Sequence, residues 1–528
     1  MDKFKLLIKG FALLGIVGLL SSCGGGGSDG DVSANQMEFV VTVPANTPLE
    51  DTIYLQAGVN WRSVFQMENI GNRMWRVRIS EDALIARQVN LSPGTRDLSY
   101  AYTRGVDANS YSGGEFFDDD PANDAWSEHR IVNFTEGSIQ EDTVQRWRFS
   151  PRDGEILPTM SAQLTTFEPR LNGLEFQAGV QINDFWPAAV PAGTSSGFDP
   201  GIDSTSQAIG NARANWVQIA PAWDYEQIMP TPILKPFPGG SYPEASLRAH
   251  IRNLKAHGYK VFLLLQTCCN EPTDAFTQSV DANAAWWDAW YAQIENFILF
   301  HAVLAEEEGV DAIALAQGNA LYGNAPAGRI QRWEALEAKL RLAYGGLFGY
   351  TLSTLDSCCS YSPTNGFFNG GIEEIYHLMD FIAVYIWAGI ADNTTPTQAH
   401  LDTNAEALFA GALDPIYTAT NLPIIVPLAY ASYDGGAINA RFVDDVAYIS
   451  GFPEKDSPLT YDGIEQAMVY QAIMKAVAKR PHVTGLYPFG YNWVTMSLAP
   501  IYGIRGKAAE KVLAEWYESI TIGVGGSL

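Results

Sequence analysis

The chain has 528 residues, of which 47% are hydrophobic and 12% aromatic, and its formal net charge at pH 7 is −26. This charge disfavours nucleic acid and anionic lipid surfaces as partners, because both repel an acidic protein. The length and the apolar content are sufficient for two packed domains.

The first residues form a secretory signal. Three lysines precede the apolar run FALLGIVGLL, which is too short for a membrane span and is followed by small residues. The stretch Leu20-Ser21-Ser22-Cys23 resembles a bacterial lipobox, which implies removal of residues 1–22 and lipidation of Cys23. An ordinary signal peptide with a chance cysteine is the alternative.

Residues 23–36 are rich in glycine and serine, which predicts a flexible tether between the lipid and the first folded domain. A lipid anchor would hold the protein on a membrane. We therefore expect an exported lipoprotein of the cell envelope, at the outer membrane or the cell surface.

Residues 37–150 predict β structure. The runs MEFVVTV, TIYLQAG, MWRVRIS and LSYAYTRG are short and are separated by turn-rich segments. In the first run Phe39, Val41 and Val43 alternate with polar or outward positions. This spacing favours an antiparallel β-sandwich.

The segments VTVPANTPLEDTIYLQAG, MWRVRIS and LSPGTRDLSYAYTRG resemble starch-binding modules of carbohydrate-binding family 20. The resemblance covers roughly a hundred residues and implies that exposed tryptophans hold a glucan chain. Trp126, in the polar segment DDDPANDAWSEHR, is the candidate platform. Trp75 alternates with Val77 and Ile79 and is expected in the core. A sandwich that has lost binding is the alternative.

Residues 158–520 alternate strand-like runs with amphipathic helical stretches, which predicts a (β/α)8 TIM barrel. One helical stretch puts Leu247, Ile251 and Leu254 on the same face. A doubly wound sheet is the alternative, but no glycine-rich phosphate fingerprint follows the first strand. The eight strand-like runs are LEFQAGVQI, NWVQIAPAW, YKVFLLLQ, VDAIALAQG, FGYTLSTLD, DFIAVYIW, PIIVPLAY and VTGLYPFGYNW.

Two cysteine doublets, Cys268–Cys269 and Cys358–Cys359, end the third and fifth predicted strands. The C-terminal ends of the strands surround the mouth of such a barrel, so both doublets should border it. The doublets could cross-link to each other, close separately as vicinal disulfides, or bind zinc as four thiolates. Export to an oxidising compartment favours disulfides. Their role would be a rigid wall or stacking plate for a sugar, or only a loop staple.

Aromatic residues are concentrated at the same strand ends. Flat aromatic rings stack on the C–H faces of sugars, so this arrangement predicts a cleft that binds an uncharged glycan. Filling of the core is the alternative for each residue taken alone. The tryptophans are Trp186, Trp223, Trp387 and Trp493, and Tyr225, Tyr385, Tyr430 and Tyr491 accompany them.

Several barrel segments resemble glycoside hydrolase family 113, the β-mannanase-like branch of a large clan of retaining glycosidases. They include NARANWVQIAPAWDY, LRAHIRNLKAHGYKVFLLLQ, WYAQIENFILFHAVLAEEEGVDAIALAQG and GKAAEKVLAEWY. The resemblance implies an acid/base glutamate at the end of strand 4 and a nucleophilic glutamate at the end of strand 7. Here these ends read Ala316-Gln317-Gly318-Asn319 and Val426-Pro427-Leu428-Ala429-Tyr430, without a carboxylate.

Retaining hydrolysis needs two carboxyl groups about 5 Å apart. Leu428 can neither attack the sugar nor transfer a proton. Gln317 and Asn319 can hydrogen-bond a sugar but cannot transfer protons at neutral pH. A different pair remains open, since inverting carboxylates stand about 6.5–9.5 Å apart. The acids available at strand ends are Asp184, Asp224, Glu226, Glu271, Asp356 and Asp434, of which Asp184, Asp224, Glu271 and Asp356 are the candidates for catalysis.

Three functions follow from these observations. The protein binds a polysaccharide or oligosaccharide without cutting it, or it is a glycosidase or transglycosidase with an unusual acid pair. The third, a structural protein without a ligand, is disfavoured by the aromatic strand ends. The histidines form no metal-binding spacing, and the sequence predicts no metal and no cofactor.

Overall fold

We describe the fold from a computed structural model. It covers residues 34–58, 63–104, 114–116, 129–182, 199–236, 242–268, 284–315, 328–353, 372–386, 388–438, 459–491 and 494–524.

The N-terminal region is rich in β structure, as predicted. Its described strands are β1 (Met37–Thr42), β2 (Ile53–Ala57), β3 (Ser63–Gln66), β4 (Glu68–Gly71), β5 (Met74–Ile79), β6 (Asp97–Arg104), β7 (Glu115–Phe116), β8 (Arg130–Asn133), β9 (Ile139–Thr143) and β10 (Arg146–Trp147), with helix α1 (Glu81–Ala86) after β5. One sheet has the order β4-β5-β1-β9, a second has the order β3-β2-β6-β8, and β7 pairs with β10. The pairs are antiparallel except β1 with β9, which run parallel.

Side chains from both four-stranded sheets contribute to one apolar core. Phe39 and Val41 of β1 are fully buried, as their alternation predicts. The ring of Phe39 meets that of Tyr100 from β6 edge to face, with centroids 5.2 Å apart. Trp75 packs against the margin of this core, and Trp147 is buried within it. Trp147 therefore offers no open face to a sugar, whereas Trp75 is only partly buried.

A polar network crosses the same core. Arg130 of β8 forms ion pairs with Glu115 at 2.7 Å and with Asp142 of β9 at 3.0 Å. The hydroxyls of Tyr100 and Tyr102 each donate to Asp142 at 2.8 Å. The network joins strands of both sheets, because β6 and β8 belong to one and β9 to the other. A buried network with its groups paired in this way fixes one mutual arrangement of the sheets.

Eight parallel strands close into a barrel, which confirms the predicted barrel fold. The strands of this part of the chain are β11 (Gln177–Gln181), β12 (Trp216–Ile219), β13 (Ala222–Gln227), β14 (Ile233–Lys235), β15 (Lys260–Cys268), β16 (Ala312–Leu315), β17 (Leu347–Ser353), β18 (Phe381–Tyr385), β19 (Ile424–Leu428) and β20 (Val483–Pro488). Around the ring the order is β12-β11-β20-β19-β18-β17-β16-β15, and pairing of β15 with β12 closes it. All eight predicted runs supply one barrel strand each.

The second barrel strand is interrupted at Ala220-Pro221 and continues as β13. Both pieces run parallel to β15, β12 beside its first half and β13 beside its second half. Beyond the ring, β13 forms an antiparallel hairpin with β14. The edge strand β14 has three residues and lies between Pro232 and Pro236.

Helices follow the strands on the outside of the ring. They are α2 (Asp199–Ile209), α3 (Glu244–Ala256), α4 (Ala284–Glu308), α5 (Arg329–Ala343), α6 (Gln398–Thr420), α7 (Gly463–Ala478) and α8 (Ala508–Val524). Leu247, Ile251 and Leu254 of α3 are buried, as their spacing predicts. Among the helices that the structure describes, none combines the length and the apolar character needed to cross a membrane.

Candidate functional site

The two faces of the barrel strands belong to different apolar clusters. Side chains such as Phe262, Phe381 and Tyr487 form an inner cluster in the lumen. Their neighbours along the strands, such as Val261 and Ile382, join a larger cluster with the surrounding helices. This alternation tells which residues at the strand ends face the mouth.

The lower part of the lumen is filled by aromatic rings. Phe262 contacts Phe381 and Tyr487 edge to face, with centroids 5.7 and 5.6 Å apart. Glycines make room for these rings, since a Cβ at Gly179 would lie 2.3 Å from Tyr487 and one at Gly349 would lie 2.5 Å from Phe381. A ligand can therefore enter the lumen only from the C-terminal mouth, where such barrels carry their sites.

Above the aromatic rings the lumen becomes polar. The Tyr385 hydroxyl donates to Gln181 Oε1 at 2.8 Å, across the lumen from β18 to β11. This bond fixes the orientation of the amide and leaves Gln181 Nε2 as a donor without a partner in the described chain. The Thr351 hydroxyl of β17 is likewise buried and lacks a partner among the described residues.

Gln218 of β12 is the most unusual lumen residue. Its neighbours two positions away, Trp216 and Ala220, belong to the inner cluster, so Gln218 faces the lumen as well. The residue is 0% exposed, yet neither Nε2 nor Oε1 has a partner in the part of the chain described. A buried amide without hydrogen bonds costs about 1–3 kcal/mol. Such groups in a native fold point to a ligand or to bound water.

Asp224 lies on the mouth-facing side of β13. It is half-buried and aligns with Cys268 of β15 on one side and with Lys235 of β14 on the other. Residues aligned between neighbouring strands point to the same face, and Trp223 and Tyr225 therefore point to the opposite one. Asp224 is the one catalytic candidate of the sequence that the structure describes.

Trp223 packs between the barrel and helix α4. Its ring is 8% exposed and lies 5.3 Å from Phe297 and 5.4 Å from Phe300. Tyr225 shares this layer, where its hydroxyl accepts from Trp290 Nε1 at 2.9 Å. A stacking platform needs an accessible ring face, so the expected sugar-binding role of Trp223 is not met.

Two further tyrosines expected at the mouth are also buried. The Tyr430 hydroxyl donates to the Ala388 carbonyl at 2.8 Å, and its ring contacts Tyr470 of α7. The Tyr491 hydroxyl lies within hydrogen-bond distance of the Ala208 carbonyl and of Glu510 Oε1, both at 2.7 Å. Both residues are 0% exposed and hold structural contacts, so Tyr430 is not available to a sugar either.

The end of β19 turns different residues toward the mouth from those expected. Leu428 belongs to the outer cluster, whereas Ile425 and Ala429 belong to the inner one. Alternation then gives the lumen positions as Ile425, Pro427 and Ala429. None of these three carries a carboxyl group. The residues that face the mouth, where a nucleophilic glutamate would be needed, are therefore Pro427 and Ala429 rather than Leu428.

Asp434 and Glu226 have other surroundings. Asp434 lines a surface pocket with Asp462 and Glu465, formed by the segments that follow β18 and β19. Glu465 accepts backbone N–H bonds from Gly435 at 2.8 Å and from Ala437 at 2.7 Å, which holds that loop. Burial raises the pKa of Glu465. Glu226 pairs with Lys235 at 2.6 Å on the hairpin.

The remaining candidates fall outside the described residues, except for the backbone of Cys268, which ends β15. Among the described residues, no group of three or more acidic, histidine or cysteine side chains could hold a metal ion. The candidates outside are Cys23, Trp126, Asp184, Trp186, Cys269, Glu271, Gln317, Asn319, Asp356, Cys358, Cys359, Trp387 and Trp493.

Gln181, Gln218 and Thr351 were not predicted as site residues from the sequence. A signal was present, because Gln177 and Gln181 are the polar residues of the otherwise apolar β11, and Gln218 is that of β12. A polar residue inside a strand that is buried on both faces needs a partner in the lumen or among the helices.

Comparisons with known proteins give structural neighbours only. No protein-family model and no curated protein matches the chain. A GH113 β-1,4-mannanase is similar over 66% of this chain and 100% of its own, with 19% identity and a TM-score of 0.48. The GH113 β-mannanase of Alicyclobacillus acidocaldarius is similar over 66% of this chain and 98% of its own, with 19% identity and a TM-score of 0.48. A glycoside hydrolase family 5 mannosidase of Rhizomucor miehei is similar over 66% of this chain and 95% of its own, with 11% identity and a TM-score of 0.41. The barrel fold itself rests on the strand pairing described above.

Proposed function

We propose that the protein binds an uncharged polysaccharide or oligosaccharide at the mouth of its barrel. The observation that carries this proposal is the buried Gln218, whose amide has a donor and an acceptor without partners beneath the mouth. A sugar hydroxyl both donates and accepts, so one ligand unit can satisfy both ends of such an amide. Gln181 Nε2 and the Thr351 hydroxyl supply two further neutral contacts.

Charge supports an uncharged ligand. The chain carries a net charge of −26, which repels polyanionic glycans. The lumen residues named above are amides and hydroxyls, and they offer no cation to pair with an acidic sugar.

We propose binding without hydrolysis by the retaining mechanism. The mouth-facing positions of β19 are Pro427 and Ala429, and a retaining glycosidase requires a second carboxyl group in addition to its acid/base. Hydrolysis by another pair is the second candidate function. The position of Asp224 on the lumen side of β13 favours it, with Asp184, Glu271 or Asp356 as the partner acid.

The N-terminal region is proposed to be a β-sandwich of the starch-binding type. We further propose that the protein is exported and anchored by a lipid on Cys23 at the cell envelope. Metabolic labelling with a radioactive fatty acid tests the anchor, because Cys23→Ser should abolish incorporation. Labelling of the Cys23→Ser protein equal to that of the wild type would contradict it.

Binding is tested on purified full-length protein carrying Cys23→Ser, which keeps it soluble. Affinity electrophoresis and calorimetry with mannan, glucomannan, starch, β-glucan and a polyuronate measure affinity, and a reducing-end assay measures cleavage. We expect binding to at least one neutral polymer and none to the polyuronate. Absence of binding to every neutral polymer would overturn the proposal.

Gln218→Met tests the site itself. Two lost hydrogen bonds of about 0.5–1.5 kcal/mol each weaken binding about 5- to 150-fold. The matched control is Gln177→Met, lower in the same lumen, where Oε1 accepts from the Tyr487 hydroxyl at 2.7 Å. This control should retain affinity. New reducing ends that disappear in Asp224→Asn would instead support hydrolysis by another acid pair.

A further inference from the structure

The connection between β20 and α8 contacts both the barrel and the N-terminal region. We call its described part, residues 494–507, the clasp loop. It starts after the C-terminal end of a barrel strand, and loops in this position form the mouth of such barrels. What this loop touches on each side decides how the two parts of the molecule are coupled.

Buried ion pairs join the clasp loop to the N-terminal region. Arg505 contacts Asp51 at 3.3 Å, and Arg104 at the end of β6 contacts the same carboxylate at 3.2 Å. Arg104 also donates to the Thr495 carbonyl at 2.6 Å. The exposed fractions of Asp51, Arg104 and Arg505 are 4%, 1% and 3%. Ion pairs without solvent depend on exact mutual placement of the groups, because each charge left alone is costly.

Apolar contacts reinforce the same junction. Phe149, which follows the last strand of the N-terminal region, forms a separate buried cluster with Val494, Met496, Ala499 and Ile501 of the clasp loop. The backbone N–H of Leu498 donates to the Phe149 carbonyl at 2.8 Å. The junction thus combines buried ion pairs, apolar packing and a backbone hydrogen bond, unlike a tethered contact between independent modules.

The other side of the clasp loop is fixed to the barrel. Lys507 Nζ donates to Ser432 Oγ at 2.8 Å, to the Ala499 carbonyl at 2.8 Å and to the Ile501 carbonyl at 2.9 Å. Ser432 follows β19, so this bond ties two neighbouring loops of the mouth together. Gln466 Nε2 adds a bond to the Tyr502 carbonyl at 3.1 Å.

Tyr502 carries the contact into the lumen. Its ring belongs to the inner cluster and lies 5.0 Å from the ring of Phe489, just after β20. A continuous chain of contacts therefore leads from Asp51 through the clasp loop to the lumen beneath the mouth. We propose that the N-terminal region is a fixed part of the barrel's binding face, and that its junction with the clasp loop sets ligand affinity in the lumen.

This inference rests on the proposed function for the identity of the ligand. The coupling between the junction and the lumen does not depend on that function. The test uses the full chain with Arg505→Met, and Phe149→Ala as a second variant that leaves the ion pairs intact. Arg73→Met is the control, since Arg73 pairs with Asp153 at 3.8 Å on the surface of the N-terminal region. Hydrogen exchange measures how often the backbone of the clasp loop opens. Calorimetry with the polymer that the wild type binds measures affinity.

We expect exchange to rise about tenfold in the clasp loop and in the peptide that contains Phe489, in both variants. We expect affinity to fall at least about fivefold in the same variants, and both quantities to stay unchanged in Arg73→Met. Faster exchange confined to the N-terminal region, or unchanged affinity, would overturn the inference. If no form binds any glycan, the proposed function fails, and exchange at Phe489 alone decides whether the junction is coupled to the lumen.

Discussion

Replacement of Gln218 by methionine should stabilise the unliganded protein. Gln218 is fully buried, and neither atom of its amide has a partner in the described chain. Methionine has nearly the same length and no polar group to desolvate. Removing an unsatisfied buried amide recovers about 1–3 kcal/mol. The free energy of unfolding should rise by this amount, while glycan affinity falls.

The control substitution Gln177→Met should change the free energy of unfolding in the opposite direction. Gln177 lies in the same lumen, but its Oε1 accepts from the Tyr487 hydroxyl, which is itself fully buried. Gln177→Met leaves that phenol without its acceptor and should lower the free energy of unfolding by about 1–3 kcal/mol. The same substitution at two positions of one lumen thus distinguishes an amide that is free to bind a ligand from one that holds the fold together.

Urea-induced unfolding followed by tryptophan fluorescence measures both changes, with the Cys23→Ser protein as reference. The slope against urea should stay constant, so that the shift in midpoint reports stability. Destabilisation of Gln218→Met by 1 kcal/mol or more would refute the reasoning. It would mean that the Gln218 amide is already hydrogen-bonded in the folded protein.

Three further outcomes are expected. Burial lowers the pKa of His250 to about 3 and that of His301 to about 4, so both are neutral when folded. Because their pKa in the unfolded chain is about 6.5, stability is complete above that pH and falls below it, by up to about 1.4 kcal/mol per pH unit for each histidine. Urea titrations at pH 7, 6 and 5 should show this loss, and His250→Met with His301→Met should flatten it; an unchanged slope would contradict the assignment. Gly179→Ala should destabilise by about 1–3 kcal/mol, because its Cβ would lie 2.3 Å from the Tyr487 ring, whereas Gly411→Ala on the exposed face of α6 should stabilise by about 0.5–1 kcal/mol. Equal effects of the two alanines in thermal unfolding would speak against a filled lower lumen. Trp223→Ala should cost about 3–5 kcal/mol of stability and leave glycan affinity unchanged in calorimetry, and the reverse result would restore Trp223 as a sugar platform.

The barrel could be predicted because its strands are buried on both faces. Runs such as YKVFLLLQ are continuously apolar, and their regular alternation with amphipathic stretches leaves few other folds. The same property hides which face is the lumen. In NWVQIAPAW the alternation does not tell whether the side of Gln218 or that of Val217 faces the lumen. The break at Ala220-Pro221 also prevents a prediction of the direction of Trp223.

The roles of single residues at the mouth were harder to predict for the same reason. Tyr430 follows an apolar strand in sequence, as a sugar-binding tyrosine would, but its hydroxyl is used by the Ala388 carbonyl. The parallel pairing of β1 with β9 joins segments about a hundred residues apart, and local alternation carries no information about such a partner.

The hairpin strand β14 has a consequence for association between molecules. In the described barrel sheet the ring has no free border, and the added hairpin ends in three residues between Pro232 and Pro236, with Lys235 among them. Short length, proline and lysine each discourage a second chain from adding its own strand there. Molecules at high concentration can then remain separate, without forming intermolecular sheets through this edge.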